Sequence, residues 1–143
     1  MTTGPANLID ELAAHVAVAL SLNYAAVPDL QRREIYAHRM DRPEAEGTAS
    51  VLRFTGGPGD DYLPVRLVTV QCLTQGPTEA EALERAWLIY SVFLDGGFPA
   101  RGVALPHWRL LAVDALQKPS AVGAMEGGGA DVSFNWLIDA VPL

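Results

Sequence analysis

A strand that is apolar on both faces runs directly into a capped helix that is apolar most of the way round. From Val65 to Thr74, the residues Val65, Leu67, Val68, Val70, Cys72 and Leu73 are nearly all strand formers. Apolar side chains on both faces place such a strand inside a sheet, with a helix over at least one side. Gly76-Pro77 breaks the strand, and Thr78-Glu79-Ala80-Glu81 reads as a capping box. In such a box the Thr78 hydroxyl takes the N3 amide and the Glu81 carboxylate reaches back to the cap amide. Leu83, Trp87, Tyr90 and Leu94 then form a stripe, widened by Ala82, Ala86, Ile89 and Phe93. A helix this apolar is buried on two sides, within the fold or against a neighbouring subunit. Asp95-Gly96-Gly97 is its expected end.

The remaining elements follow from periodicity. Residues 5 to 21 read as a helix, with Pro5 in the first turn and Asn7 as an alternative cap. Leu8, Leu12, Val16 and Leu20 recur every four residues, with Ile9, Ala13 and Ala19 beside them. Asp10 and Glu11 lie toward the positive end of the helix dipole. Strands are expected over Glu34–Met40, Thr48–Phe54, Trp108–Gln117 and Ala130–Val141. In the last of these, Val132, Phe134, Trp136 and Ile138 share one side. Residues 96 to 107 read as a loop, and Pro119 to Gly129 as a Gly-rich, mobile one. Runs of strands divided by helices give an α+β class: a mainly antiparallel mixed sheet of about five strands with two principal α-helices packed on it. At 143 residues, the chain is expected to be one domain, 1–143.

Composition narrows the function classes. Hydrophobic residues make up 50% of the chain, enough for a core without metals or disulfides, and the single Cys72 excludes an intrachain disulfide. The net charge of -7 argues against a protein that grips nucleic acid through phosphate neutralisation. No apolar run approaches a membrane span, and the N-terminus lacks a signal peptide's basic start, so a cytoplasmic site of synthesis without membrane contact is expected. The three histidines, His15, His38 and His107, carry no metal-ligand spacing and read as polar-face or loop residues. Gly56-Gly57-Pro58-Gly59-Asp60-Asp61 is no phosphate loop, because Pro58 removes an amide and no Lys-Ser/Thr follows. No nucleophile elbow, triad spacing or zinc signature is present. Catalytic residues, a cofactor and a metal are therefore not expected.

The stretch Val68–Tyr90, an apolar-Gln-apolar strand leading through a short turn into a Glu- and Ala-rich helix with an aromatic residue, resembles the tail terminator (tail completion, minor capsid) proteins of long-tailed bacteriophages. Leu-Leu-Ala-Val-Asp-Ala at 110 to 115, Pro119, and Ser133-Phe134-Asn135-Trp136 fit the same pattern in order, as does the N-terminal helix. The resemblance implies a virion protein assembled in the host cytoplasm. It would cap the head-proximal end of the tail tube as a ring, commonly a hexamer. It would stop tube polymerisation and offer a docking surface to the head connector. Its partners would be copies of itself, the tail tube protein and the connector, with DNA passing through the ring without specific binding.

Ring formation requires one patch to meet a different patch on the next copy. The exposed side of the second helix, with Glu81 and Arg85, and the sheet edge are candidates. The Gly56–Leu63 segment, with Gly57, Asp60, Asp61 and Tyr62, and the Ser120–Gly129 segment, with Met125 and Glu126, are expected as docking arms. Two alternatives compete: another head-completion or neck joining protein of a phage or phage-like particle, and a small-molecule-binding domain or enzyme.

Overall fold

The computed structural model of the chain describes residues 5–24, 34–38, 47–56, 67–95, 98–99, 102–124 and 129–143. Helix α1 (Pro5–Leu20) comes first, followed by strands β1 (Ile35–Ala37), β2 (Ala49–Gly56) and β3 (Leu67–Gly76). Helix α2 (Glu79–Tyr90) and a 3-10 turn (Ser91–Phe93) lead to the short pair β4 (Leu94–Asp95) and β5 (Phe98–Pro99). Strands β6 (Val103–Ala104), β7 (Trp108–Ala124) and β8 (Ala130–Pro142) complete the order. The main sheet has six strands in the order β1-β2-β3-β8-β7-β6 and curls as a half-barrel. Only β1 and β2 run parallel; the other neighbours are antiparallel. The architecture is α+β, as the sequence implies, with one strand more in the main sheet than expected and β4-β5 apart from it.

The doubly apolar strand takes the interior place its composition demands. β3 lies between β2 and β8, burying Val68, Val70, Cys72 and Thr74 on one face while Thr69, Gln71, Leu73 and Gln75 are half-buried on the other. Both helices contribute to one core with the first of these faces: α1 over β1 and β2, α2 over β3, β8 and β7. β8 buries Val132, Phe134, Trp136, Ile138 and Ala140 beneath α2. A line of ring contacts ties these layers together. Tyr90 meets Phe134 edge-on at 5.4 Å, Phe134 meets Trp136 at 4.9 Å, and Trp136 meets Phe93 at 5.1 Å. His15 of α1 stacks on Phe93 at 5.4 Å, so the chain of rings reaches from α2 through the sheet to α1. Each such pair contributes roughly 0.5–1.5 kcal/mol beyond its buried area. A smaller cluster of Tyr36, Ala49 and Val51, with Leu73 against it, covers part of the opposite sheet face.

Gly76 fixes how closely α2 sits on β3. A Cβ there would lie 3.1 Å from the Ala82 nitrogen and 3.2 Å from the Ala82 Cβ. Thr78 is the N-cap, its hydroxyl accepting from the Glu81 amide at 3.2 Å. Only this half of the expected capping box is present; Glu81 faces outward.

Several expectations are corrected. The buried side of α2 is Ala82, Ala86, Ile89 and Tyr90, with Leu83 only partly covered and Trp87 and Leu88 outside. Its first half packs through the small residues Ala82 and Ala86, with the close approach at Gly76 meeting Ala82, while Ile89 and Tyr90 fill the space under its end. It also ends at Tyr90 with Ser91 as C-cap, before Asp95-Gly96-Gly97, of which Gly96 and Gly97 lie outside the described residues. In α1, Ala19 is exposed, and Asn7 does not cap the helix but accepts from the Trp108 indole at 3.1 Å. β7 runs on to Ala124, so the segment expected to be a mobile loop begins as strand. Residues 96 to 107, expected as a loop, contain β5 and β6.

Candidate functional site

β7 departs from simple alternation because its ladder to β8 slips repeatedly. The register steps from Leu110 to Ala112, from Ala115 to Gln117, from Gln117 to Ser120 and from Ala121 to Gly123. Leu111, Leu116 and Val122 are thereby left without a partner on β8. Each slip changes the face on which the following residues lie. Trp108, Leu110 and Val113 are all buried, although a strict two-residue period would put Val113 on the opposite face from the first two. Leu116 and Val122 are 55% and 63% exposed, in a stretch where their neighbours are exposed as well. The far edge of β7 is covered by β6 only at Arg109 and Leu110; from Leu111 to Ala124 no strand among the described residues pairs with it. Lys118 is exposed on the same stretch, while Pro119, which has no amide to donate, is buried.

The outer side of α2 is the second exposed surface. Trp87 and Leu88 are 40% and 50% exposed on a helix whose opposite side is fully buried. Thr48, Glu81, Glu84, Arg85 and Leu88 line a shallow groove of ≈ 260 Å³ there. Glu81, Glu84, Arg85 and Leu88 share one side through spacings of three and four residues. Arg85 is not a free arm. Its Nη2 donates to Glu34 Oε2 at 3.3 Å, while Glu34 Oε1 accepts from the Asn23 amide at 3.2 Å. The guanidinium thus stitches α2 to the entry of β1, and its Nη1 is buried without a hydrogen-bond partner.

Of the site residues expected from sequence, the structure brings together Glu81 and Arg85. Gly57, Asp60, Asp61, Tyr62, Met125 and Glu126 lie outside the described residues, as does most of the Gly56–Leu63 arm. The Ser120–Gly129 arm begins within β7, which pairs with β8 as far as Ala124, so its first residues are strand and not loop. Leu116 and Val122 were not recognised as surface residues. The signal was the doublet Leu110-Leu111 followed by Val113, which breaks a two-residue period and marks a bulge.

Ionisable groups pair off locally. His107 donates to Glu11 twice, from its backbone amide to Oε1 at 2.8 Å and between Nδ1 and Oε2 at 2.7 Å. Glu11 is one of the few buried charged residues, and this contact clamps α1 to the start of β7. His38, at φ 69°, reaches Asp10 of α1 at 3.1 Å. His15 is partly buried against Phe93, and burial holds its pKa below the ordinary 6.5. All three histidines, expected as face or loop residues, thus contact α1 or belong to it. The Cys72 thiol is pushed up to about 12, first by burial, against smaller lowering from Thr74 and Ser50. Ser50 and Thr74 hydroxyls bond each other at 2.7 Å beneath the sheet surface. Among the described residues no group of three His, Cys, Asp or Glu side chains is placed to hold a metal ion. No helix among them is long and apolar enough to cross a membrane.

The sequence matches no protein-family model and no curated protein. The geometry of the two exposed surfaces therefore carries the functional reading.

Proposed function

We propose that this chain is a structural assembly subunit of the tail-terminator type, closing as a ring on the head-proximal end of a phage tail tube. The observation that carries this reading is the β7 edge, where Leu116 and Val122 stand exposed beside a stretch with which no strand among the described residues pairs. Exposed apolar residues along a bare edge are a liability unless a partner covers them. α2 supplies a second, chemically different surface on another element, which is what a head-to-tail ring contact needs. The low charge fraction, 19%, is in keeping with surface hidden by partners. The pairing of Glu11, Asp10 and Glu34 to neighbouring groups is in keeping with assembly rather than small-molecule chemistry.

Immunogold labelling of tails purified from particles that carry this chain tests the reading. Label is expected at the head-proximal end, and cells lacking the chain should accumulate overlong tail tubes. Label on the head side of the joint would favour a neck protein instead. Unlabelled tails of normal length would end the proposal.

A further inference from the structure

We propose that the ring contact is made by the bulged edge of β7 on one copy, through Leu116, Lys118 and Val122, seated against the outer side of α2 on the next, at Glu81, Glu84, Trp87 and Leu88. This inference rests on the assembly reading above and names the two surfaces it requires.

Three observations select this pairing. The first concerns how β7 can dock. A straight bare edge would accept another strand through its main chain, but β7 slips register between Leu110 and Gly123, so its amides and carbonyls are not evenly spaced. Bulges of this kind obstruct edge-to-edge strand addition. Leu116 and Val122, which have no partner on β8, are exposed along this stretch, so the edge engages a partner with side chains. The exposed Leu88 gives the otherwise polar groove on α2 an apolar contact for a protruding side chain, and Trp87 adds a second beside it.

The second is charge. The chain as a whole carries -7. Within β7, Arg109 and Lys118 against Asp114 leave +1, one of the few cationic stretches among the described residues. Within α2, Glu79, Glu81 and Glu84 against Arg85 leave -2, and that arginine is already engaged by Glu34. Two copies that repel at long range are held in register when Lys118 meets the Glu81-Glu84 pair.

The third is spacing. Leu116 and Lys118 are two residues apart on a strand, about 6.6 Å in regular geometry and less through a bulge. Leu88 and Glu84 are four residues apart on a helix, about 6 Å along its axis. An apolar residue beside a cation therefore meets an apolar residue beside an anion at matching separation. The two surfaces lie on different elements, so the contact is heterologous and repeats from copy to copy.

The test uses the full chain at high concentration, with disulfide trapping to capture a weak contact. Leu116→Cys copies mixed with Leu88→Cys copies should form a disulfide-linked pair under oxidising conditions. Neither variant alone should cross-link, and buried Cys72 leaves the native thiol out of the reaction. Lys118→Glu should weaken association roughly tenfold, and adding Glu84→Lys and Glu81→Lys should restore it. Circular dichroism checks that each variant folds. Cross-linking within a single-cysteine variant would show a two-fold contact and overturn this pairing while leaving self-assembly intact. Association unaffected by Lys118→Glu would do the same. Absence of any cross-link in the mixture also overturns the pairing, whereas the assembly reading itself stands or falls on the labelling of tails.

Discussion

Replacing Glu11 by alanine should be among the most damaging single changes in α1. The Glu11 side chain is 9% exposed and accepts two hydrogen bonds from one residue, His107. Hydrogen bonds to a charged group contribute about 1.5–3 kcal/mol each, offset by the several kcal/mol needed to desolvate the carboxylate. The bond to the ring counts for less, because the His107 side chain is half exposed and partly screened by solvent. Glu11→Ala also strands the His107 amide at the point where α1 meets β7. The expected net loss is about 2–4 kcal/mol. His107→Ala removes only the ring contact and keeps the amide bond, so it should cost about 1 kcal/mol. Urea denaturation followed by tryptophan fluorescence measures both, since Trp108 adjoins the clamp. A Glu11→Ala loss below about 0.5 kcal/mol, or a His107→Ala loss equal to it, would refute the reasoning.

Other expectations follow from the same contacts. Gly76→Ala should destabilise by about 1–2 kcal/mol in the same assay, because the added Cβ meets Ala82 at 3.1–3.3 Å and outweighs the entropic gain of replacing glycine. His15 has its pKa lowered by burial, so the unfolded chain protonates first as the pH falls. Its contribution is whole above pH 6.5 and is lost as the pH drops through 6.5 toward the lower folded value. The wild type should therefore lose more stability than His15→Leu between about pH 8 and pH 5. Cys72, with its thiol pushed up to about 12, should react with a thiol reagent only on unfolding; rapid labelling of the native chain would contradict its burial.

The sheet and its principal helices were legible because period and propensity agreed there. Val132, Phe134, Trp136 and Ile138 of β8 are all buried on the side the sequence assigns them, and Thr78 caps α2 where the sequence places the cap. The apolar stripe of α2 holds the buried Ala82, Ala86, Ile89 and Tyr90, but also Leu83 and Trp87, whose size reads as a sign of burial. The close approach over Gly76 favours the small Ala82, while Trp87 and Leu88 lie on the outer side of the helix. β7 was truncated because Lys118-Pro119 reads as a breaker, yet the ladder steps past both residues and resumes at Ser120. The same slips hide the exposed edge from any reading based on a fixed period. The histidine contacts to α1 were invisible because each joins residues far apart in sequence, 96 positions in the case of Glu11 and His107.

A cryo-electron microscopy reconstruction of the head-proximal tail end, at a resolution that traces side chains, measures the central proposal directly. The expected result is a closed ring of this chain in which Leu116 and Lys118 of every copy rest on α2 of its neighbour. A tail end built without this chain, or copies of it that share no contact with one another, would contradict it.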